Sequence, residues 1–247
     1  MDREQPPEHT SGTPYLATWH DLLAESAVMI LAAAAMAALG QTAWMTIVIP
    51  CLIAARFSFL YRRGDVVVFL LGVVLGGGND IISMWKGVYF YTPPTWLPVP
   101  IPVWMVLFWG EAFLFFRRLM RFPGCVADES LRFPVDLPLV LDLAMLIPLK
   151  MALYRTASIP WVPDAVFAAA LLIRYLVAPP LPHERRFLLT ILVLGPLYEM
   201  VLVGSGLYVY QHPFLLGIPL WLIVYWIYIL RILKGVVDRL EFLFQRK

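Results

Sequence analysis

Eight apolar stretches, each about as long as a bilayer crossing, make up most of this chain. A crossing helix needs about 20 mostly apolar residues, because each residue rises about 1.5 Å across about 30 Å of hydrocarbon. Of the 247 residues, 61% are hydrophobic and 15% are charged, whereas a soluble domain carries about 25% charged residues. We therefore predict an all-α polytopic membrane protein. Its eight transmembrane helices are expected at residues 22–40, 41–60, 65–87, 101–121, 134–153, 160–178, 186–209 and 216–236.

Basic residues are distributed unequally between the two sides of the predicted bundle. With the N terminus placed inside, most of the 19 Lys and Arg residues lie on the inner side, and only Lys86, Lys150 and Arg155 lie outside. Because cytoplasmic loops carry an excess of Lys and Arg, we expect both termini to be cytoplasmic. The expected location is a bacterial cytoplasmic (inner) membrane.

The chain also contains an internal repeat. GVYFYTPP at residue 87 reappears as GLYVYQHP at residue 206, and the same offset pairs Asp80 with Glu199. After a small change in loop length, Trp104 and Trp109 match Trp221 and Trp226. Each half has an even number of helices, so both halves enter the membrane from the same side. This predicts two parallel four-helix repeats related by an axis along the membrane normal.

The repeat also predicts how the chain is divided. The polar, proline-rich N terminus is typical of a disordered tail, and a second short polar tail ends the chain. The predicted units are a tail at 1–20, a first repeat at 21–122, a cytoplasmic linker at 123–133, a second repeat at 134–238 and a tail at 239–247.

Two acidic residues are expected inside the bilayer. Asp80 and Glu199 lie about two helical turns below the repeated loop, and no basic residue has a matching symmetric position. An ionisable group at the bilayer centre costs about 2.5–3.5 kcal/mol and usually marks a functional site. We predict these two as catalytic proton donors, while structural hydrogen bonding between helices stays open as the alternative.

Other charged residues suggest a structural role. Glu25 with Arg56, and Asp142 with Arg174, recur in the two halves at similar depth, which predicts one acid–arginine pair in each half. Glu111 has no acidic counterpart in the second half. We treat it as a further candidate for substrate binding.

Aromatic residues surround the expected position of the acids. Tyr and Trp are enriched where membranes meet water, so an interfacial belt explains their presence without a ligand. Their fixed spacing to an intramembrane acid instead favours a binding site. The candidate substrate-binding residues are Tyr89, Tyr91, Trp104, Trp109, Tyr208, Tyr210, Trp221 and Trp226.

Several classes of site are disfavoured. The four histidines and two cysteines form no spaced set of ligands, so we expect no metal and no cofactor. The net charge is only +2 and no basic stripe is present, so we expect no nucleic-acid partner.

The second copy of the repeat resembles the carotenoid-hydratase family of integral membrane proteins. The resemblance covers about forty residues and consists of an acid, a G-x-Y-x-Y motif and a Gly-Ile-Pro-Leu stretch before a tryptophan. Those residues are Glu199, Gly206, Tyr208, Tyr210, Gly217, Ile218, Pro219, Leu220 and Trp226. The resemblance implies a substrate that is an isoprenoid or another lipid, and acid-catalysed hydration or isomerisation of an alkene. Glu199 or Asp80 would deliver the proton, and aromatic faces would stabilise the carbocation.

Two other functions remain open at this point. A transporter or lipid-binding carrier would place its site between the repeats, with Asp80 and Glu199 facing each other. A non-catalytic subunit of a membrane complex, or a homo-oligomer, would use the outer aromatic residues as a docking face. The expected partners are therefore a membrane lipid or isoprenoid, and other membrane proteins.

Overall fold

The computed structural model describes residues 15–92, 100–126 and 137–245. Within those ranges the chain is all-α apart from one short ribbon, and it forms eight helices. The helices are α1 (Trp19–Leu39), α2 (Met45–Leu60), α3 (Asp65–Trp85), α4 (Val103–Met120), α5 (Leu137–Thr156), α6 (Val162–Val177), α7 (Pro182–Gly204) and α8 (Leu220–Gln245). The ribbon consists of β1 (Tyr89–Tyr91) and β2 (Tyr208–Tyr210).

Four of these helices are long and apolar enough to cross a membrane. They are α1, α3, α7 and the Leu220–Glu241 part of α8. Helix α2 is apolar but has only 16 residues. A helix of that length spans about 24 Å, which is somewhat less than the hydrocarbon core. The structure therefore supports an integral membrane protein with these four helices as candidate membrane spans.

Several predicted boundaries differ from the structure. Helix α7 ends at Gly204 instead of residue 209, because residues 208–210 form a strand. Helix α8 continues to Gln245, so most of the predicted C-terminal tail is helical. Residue 15 onward packs against α4, where the Ala17 amide donates to the Arg121 carbonyl at 2.9 Å. The rest of the predicted N-terminal tail, residues 127–133 of the predicted linker and residues 246–247 lie outside the described ranges.

Helices α4 and α8 form the centre of the bundle. Helix α4 packs against α1, α2 and α3, and α8 packs against α5, α6 and α7. The two central helices meet where the indole rings of Trp109 and Trp226 stack, with ring centroids 6.1 Å apart and planes 28° apart. Such an arrangement buries the largest aromatic surfaces between the two halves of the chain.

Glycines allow each central tryptophan to lie directly against a neighbouring helix. A Cβ atom on Gly76 would come within 2.6 Å of the Trp109 ring, and one on Gly195 would come within 3.0 Å of the Trp226 ring. Gly76 belongs to a π-helical segment, Gly72–Gly77, within α3. The absence of a side chain at these positions is thus a requirement of packing, as is common between membrane helices.

The two copies of the tyrosine motif pair with each other. Strands β1 and β2 are antiparallel, with Tyr89 opposite Tyr210, Phe90 opposite Val209, and Tyr91 opposite Tyr208. Tyr89 therefore lies opposite Tyr210, which is the sequence equivalent of Tyr91, and Tyr91 lies opposite Tyr208, which is the sequence equivalent of Tyr89.

Local features place the ribbon across one end of the bundle. Gly87 and Gly206, with φ of 69° and 76°, turn the chain out of α3 and α7 into the strands, a conformation that glycine adopts without strain. The side chain of Gln41, in the connection between α1 and α2, donates to the Gly206 carbonyl at 2.8 Å and to Thr92 at 2.6 Å. The ribbon is thereby attached to both halves.

Candidate functional site

The Asp80 carboxylate is held by three aromatic donors, and we call this group the Asp80 cluster. Tyr89 donates its hydroxyl to Oδ1 at 2.5 Å, and Tyr91 donates to Oδ2 at 3.1 Å. The indole Nε1 of Trp109 donates to Oδ2 at 2.6 Å. Asp80 is only 3% exposed, so these donors replace the water that would otherwise solvate the carboxylate.

The Glu199 carboxylate has the same three kinds of donor, and we call this group the Glu199 cluster. Tyr208 donates its hydroxyl to Oε2, and Tyr210 donates to the same oxygen at 3.2 Å. The indole Nε1 of Trp226 donates to Oε1 at 3.2 Å. Every member of the Asp80 cluster thus has a counterpart at the repeat offset, and each cluster joins a helix, a strand and a central tryptophan.

The tyrosines in both clusters act as hydrogen-bond donors. Burial, followed by the charge of Asp80, raises the pKa of Tyr89 well above its ordinary value of 10.0. Burial and the charge of Glu199 raise the pKa of Tyr208 in the same way. Both phenols consequently stay protonated over the whole physiological pH range and keep donating to the carboxylates.

Both clusters line one cavity of about 490 Å³, which we call the Lys150 cavity. It lies between α3, α5 and α8, and it extends along α3 from Leu71 to Ser83, which is about 18 Å of helix. Its walls are mainly aliphatic and aromatic, as in most small-molecule sites. The polar residues lie at the end near the ribbon: Asn79, Asp80, Ser83, Tyr89, Lys150, Tyr154, Glu199, Tyr210 and Tyr225.

A second cavity of about 420 Å³, which we call the Ala33 cavity, lies on the other side of the Trp109–Trp226 stack. It is lined by α1, α4 and α7, the helices that correspond to α5, α8 and α3 in the other half. Its polar lining is sparse and consists of Ser26 and Tyr198 together with the tryptophans. The ring of Tyr198 stacks on Phe108 with centroids 5.7 Å apart.

Charged side chains are concentrated at the end of the bundle away from the ribbon. Asp65, the first residue of α3, accepts from Arg56 at 2.7 Å and from Arg118 at 2.8 Å, and it also binds Arg117. Glu25 binds Arg56 and Arg118, which completes a buried network between α1, α2, α3 and α4. Removing one partner from such a network leaves an uncompensated buried charge, so the network determines how these helices pack.

The second half contains a smaller version of this network. Arg174 binds Asp142 at 2.5 Å, and Arg231 of α8 lies 3.9 Å from Asp142 and 3.0 Å from Glu184. Arg231 therefore bridges the acids of α5 and α7, as Arg118 of α4 bridges those of α1 and α3. The pairs Glu25–Arg56 and Asp142–Arg174 are both formed.

Two candidate substrate-binding residues lie away from the clusters. Glu111 is buried beside Glu25 in the charged network, and neither of its carboxyl oxygens has a hydrogen bond within the described residues. Trp104 is buried but lines neither of the two large cavities. The structure does bring the other candidates together, because the remaining tyrosines and tryptophans contact a cluster carboxylate or line the Lys150 cavity.

Some residues of the site were not recognised in the sequence. Lys150 was counted among the outer charges, yet it lies inside α5 and lines the cavity. Tyr225 donates its hydroxyl to Asn79 Oδ1 at 3.1 Å across the cavity wall. Both residues could have been found by comparing the two halves of the sequence. At the repeat offset, Lys150 is equivalent to Ala33 and Tyr225 is equivalent to Phe108.

The fold resembles one already seen in a crystal. The structure of a cross-linked trimer of a protein named MvINS matches with a TM-score of 0.55 and 24% sequence identity, over 72% of this chain and 93% of that chain. This likeness shows a shared fold. No family model matches the sequence. No curated protein matches it either.

Removing one phenol from the Glu199 cluster is expected to destabilise the protein. Tyr208→Phe leaves a buried carboxylate short of a donor, which costs roughly 1–3 kcal/mol in unfolding free energy. The matched control is Tyr198→Phe, because the Tyr198 hydroxyl makes no hydrogen bond within the described residues. Thermal unfolding in detergent, followed by tryptophan fluorescence, measures the difference. Equal stability of the two variants would contradict the role assigned to the cluster.

Proposed function

We propose that this protein binds an isoprenoid or another elongated lipid in the Lys150 cavity. We further propose that the chain crosses the membrane eight times as two parallel four-helix repeats, with both termini in the cytoplasm. The ribbon then lies at the outer face and the charged networks lie at the cytoplasmic face. In this orientation the polar end of the cavity is near the outer surface.

The observation that carries the proposal is the division of the cavity into a polar and an apolar end. Near the ribbon the wall carries Asp80, Lys150 and Glu199, whereas Leu71 and Val236 line the opposite end. A lipid has the same division, with a polar head and an apolar chain. A ligand lying along α3 would place its head near the ribbon and bury its chain between α3, α5 and α8.

The carboxylates favour binding as the primary function. Asp80 and Glu199 each accept hydrogen bonds from two phenols and an indole. These hydrogen bonds engage both oxygens of each carboxyl group, so neither group presents a free oxygen to an alkene in the cavity. In this arrangement the acids orient the aromatic walls of the cavity.

Acid-catalysed hydration or isomerisation of an alkene is the second candidate function. It is favoured by the placement of both carboxyls on the wall of one aromatic cavity, and by the resemblance of residues 199–226 to the carotenoid-hydratase family. The carbocation formed by protonation would lie against the faces of the Trp221 and Trp226 rings.

Filling the Lys150 cavity is expected to abolish lipid binding. Leu146→Trp adds an indole to its wall, which should lower the amount of lipid bound by at least about tenfold, equivalent to 1.4 kcal/mol. Met29→Trp is the matched control, because Met29 is the equivalent position in the Ala33 cavity. The measurement is mass spectrometry of lipids that remain bound after purification in detergent. Unchanged binding in Leu146→Trp would refute the proposed site.

The enzymatic candidate has its own test. Glu199→Gln keeps the shape of the side chain but removes the ionisable proton, so product formation from an isoprenoid alkene should be lost while lipid binding remains. Chromatography of the lipids after incubation with the purified protein measures product. A wild-type protein that binds the alkene and leaves it unaltered would eliminate this candidate and leave the binding function intact.

A further inference from the structure

Several lining positions of the two cavities correspond at the repeat offset. At the repeat offset, Leu146 corresponds to Met29 and Trp226 corresponds to Trp109, and all four residues line their cavities. At the same offset Lys150 corresponds to Ala33. One cavity thus contains an ammonium group where the other has a methyl group.

The Lys150 ammonium is held by aromatic faces and not by an ion pair. Its Nζ atom lies 4.3 Å from the ring centroid of Tyr225 and 5.4 Å from that of Tyr154. Such cation–π contacts orient an ammonium group but occupy none of its three N–H donors with a strong acceptor. Within the described residues Nζ has no ion pair and no hydrogen bond, although it lines the cavity.

The neighbouring acids are already occupied. Asp80 attracts Lys150 electrostatically, yet the two side chains do not come within ion-pair distance. Asp80 and Glu199 each accept three hydrogen bonds from aromatic donors, so both carboxyl groups already have partners. An ammonium group without a partner in an apolar cavity is costly, and an anionic ligand would offset that cost.

We infer that the Lys150 cavity selects lipids with an acidic head group, a phosphate or a carboxylate, which pairs with the Lys150 ammonium. This inference rests on the proposed lipid-binding function and names the chemical class of the ligand. Lys150 lies six residues before the end of α5 at Thr156, or about 9 Å along the helix. The head group would therefore be held below the outer surface, with its chain running toward Leu71 and Val236.

The Ala33 cavity lacks the features that would recognise such a head group. Where the Lys150 cavity has Tyr225 hydrogen-bonded to Asn79, the Ala33 cavity has the stacked rings of Phe108 and Tyr198. No cationic side chain lines it within the described residues. It serves as an internal reference, because it lies at the equivalent sequence positions and lacks the ammonium group.

The test compares lipids that share one chain and differ only in the head. The pairs are a prenyl phosphate against the corresponding prenol, and a fatty acid against the corresponding fatty alcohol. Native mass spectrometry of the full-length protein in detergent measures the affinity for each member. We expect the wild type to prefer the acidic member of at least one pair by about tenfold or more, because the charge pair is desolvated. The pair that shows the preference identifies the source of the acidic group.

Variants at the two equivalent positions show whether Lys150 causes the preference. Lys150→Met should remove the preference for the acidic member, Lys150→Arg should retain it, and Ala33→Met should not change it. Thermal unfolding is measured to check that each variant is folded. If Lys150→Met does not fold, Lys150→Arg still tests whether a cation at this position gives the preference. Equal binding of both members by the wild type, or a preference that survives in Lys150→Met, would overturn the inference. Failure of all four lipids to bind would instead refute the proposed function.

Discussion

Burial of a carboxylate in each half of an apolar bundle is the constraint on which the rest of this structure depends. An ionised acid is costly in such surroundings unless donors surround it, and here two phenols and one indole supply them. The phenols come from a ribbon strand and the indole from a central helix. Each acid therefore holds in place the strand that follows its own helix and one tryptophan of a central helix. Because these two tryptophans stack on each other, the two clusters also stabilise the contact between the halves.

The polar groups form two layers with different roles. At the ribbon, the carboxylates bind neutral aromatic donors and lie beside a cavity. At the opposite end, Asp65 and Glu25 bind arginines and connect helices α1, α2, α3 and α4. The ribbon end also differs between the halves, since Lys150 and Ala33 occupy equivalent positions. The two cavities therefore have similar frameworks but different linings, and the proposed selectivity for an acidic head group depends on that difference.

Much of the framework was predictable, because it depends on local patterns. The repeat offset indicated that Asp80 and Glu199 are equivalent, and the recurring acids and arginines indicated the Glu25–Arg56 and Asp142–Arg174 pairs. The ribbon was not predicted, because strands of three residues are stable only through pairing with a segment 119 residues away. Asp65 was overlooked because its arginines come from separate helices. Lys150 was assigned to the outer surface because hydropathy does not distinguish the end of a helix from the wall of a cavity.

Photochemical labelling by a bound lipid tests the central claim most directly. A lipid that carries a diazirine on its chain would be added to the protein in detergent, activated by light, and its adducts located by peptide mass spectrometry. The account predicts adducts on α3, α5 and α8, at residues such as Leu75, Leu146 and Ile229 that line the Lys150 cavity. Adducts confined to α1 and α7, or spread evenly over the outer surface of the bundle, would contradict it.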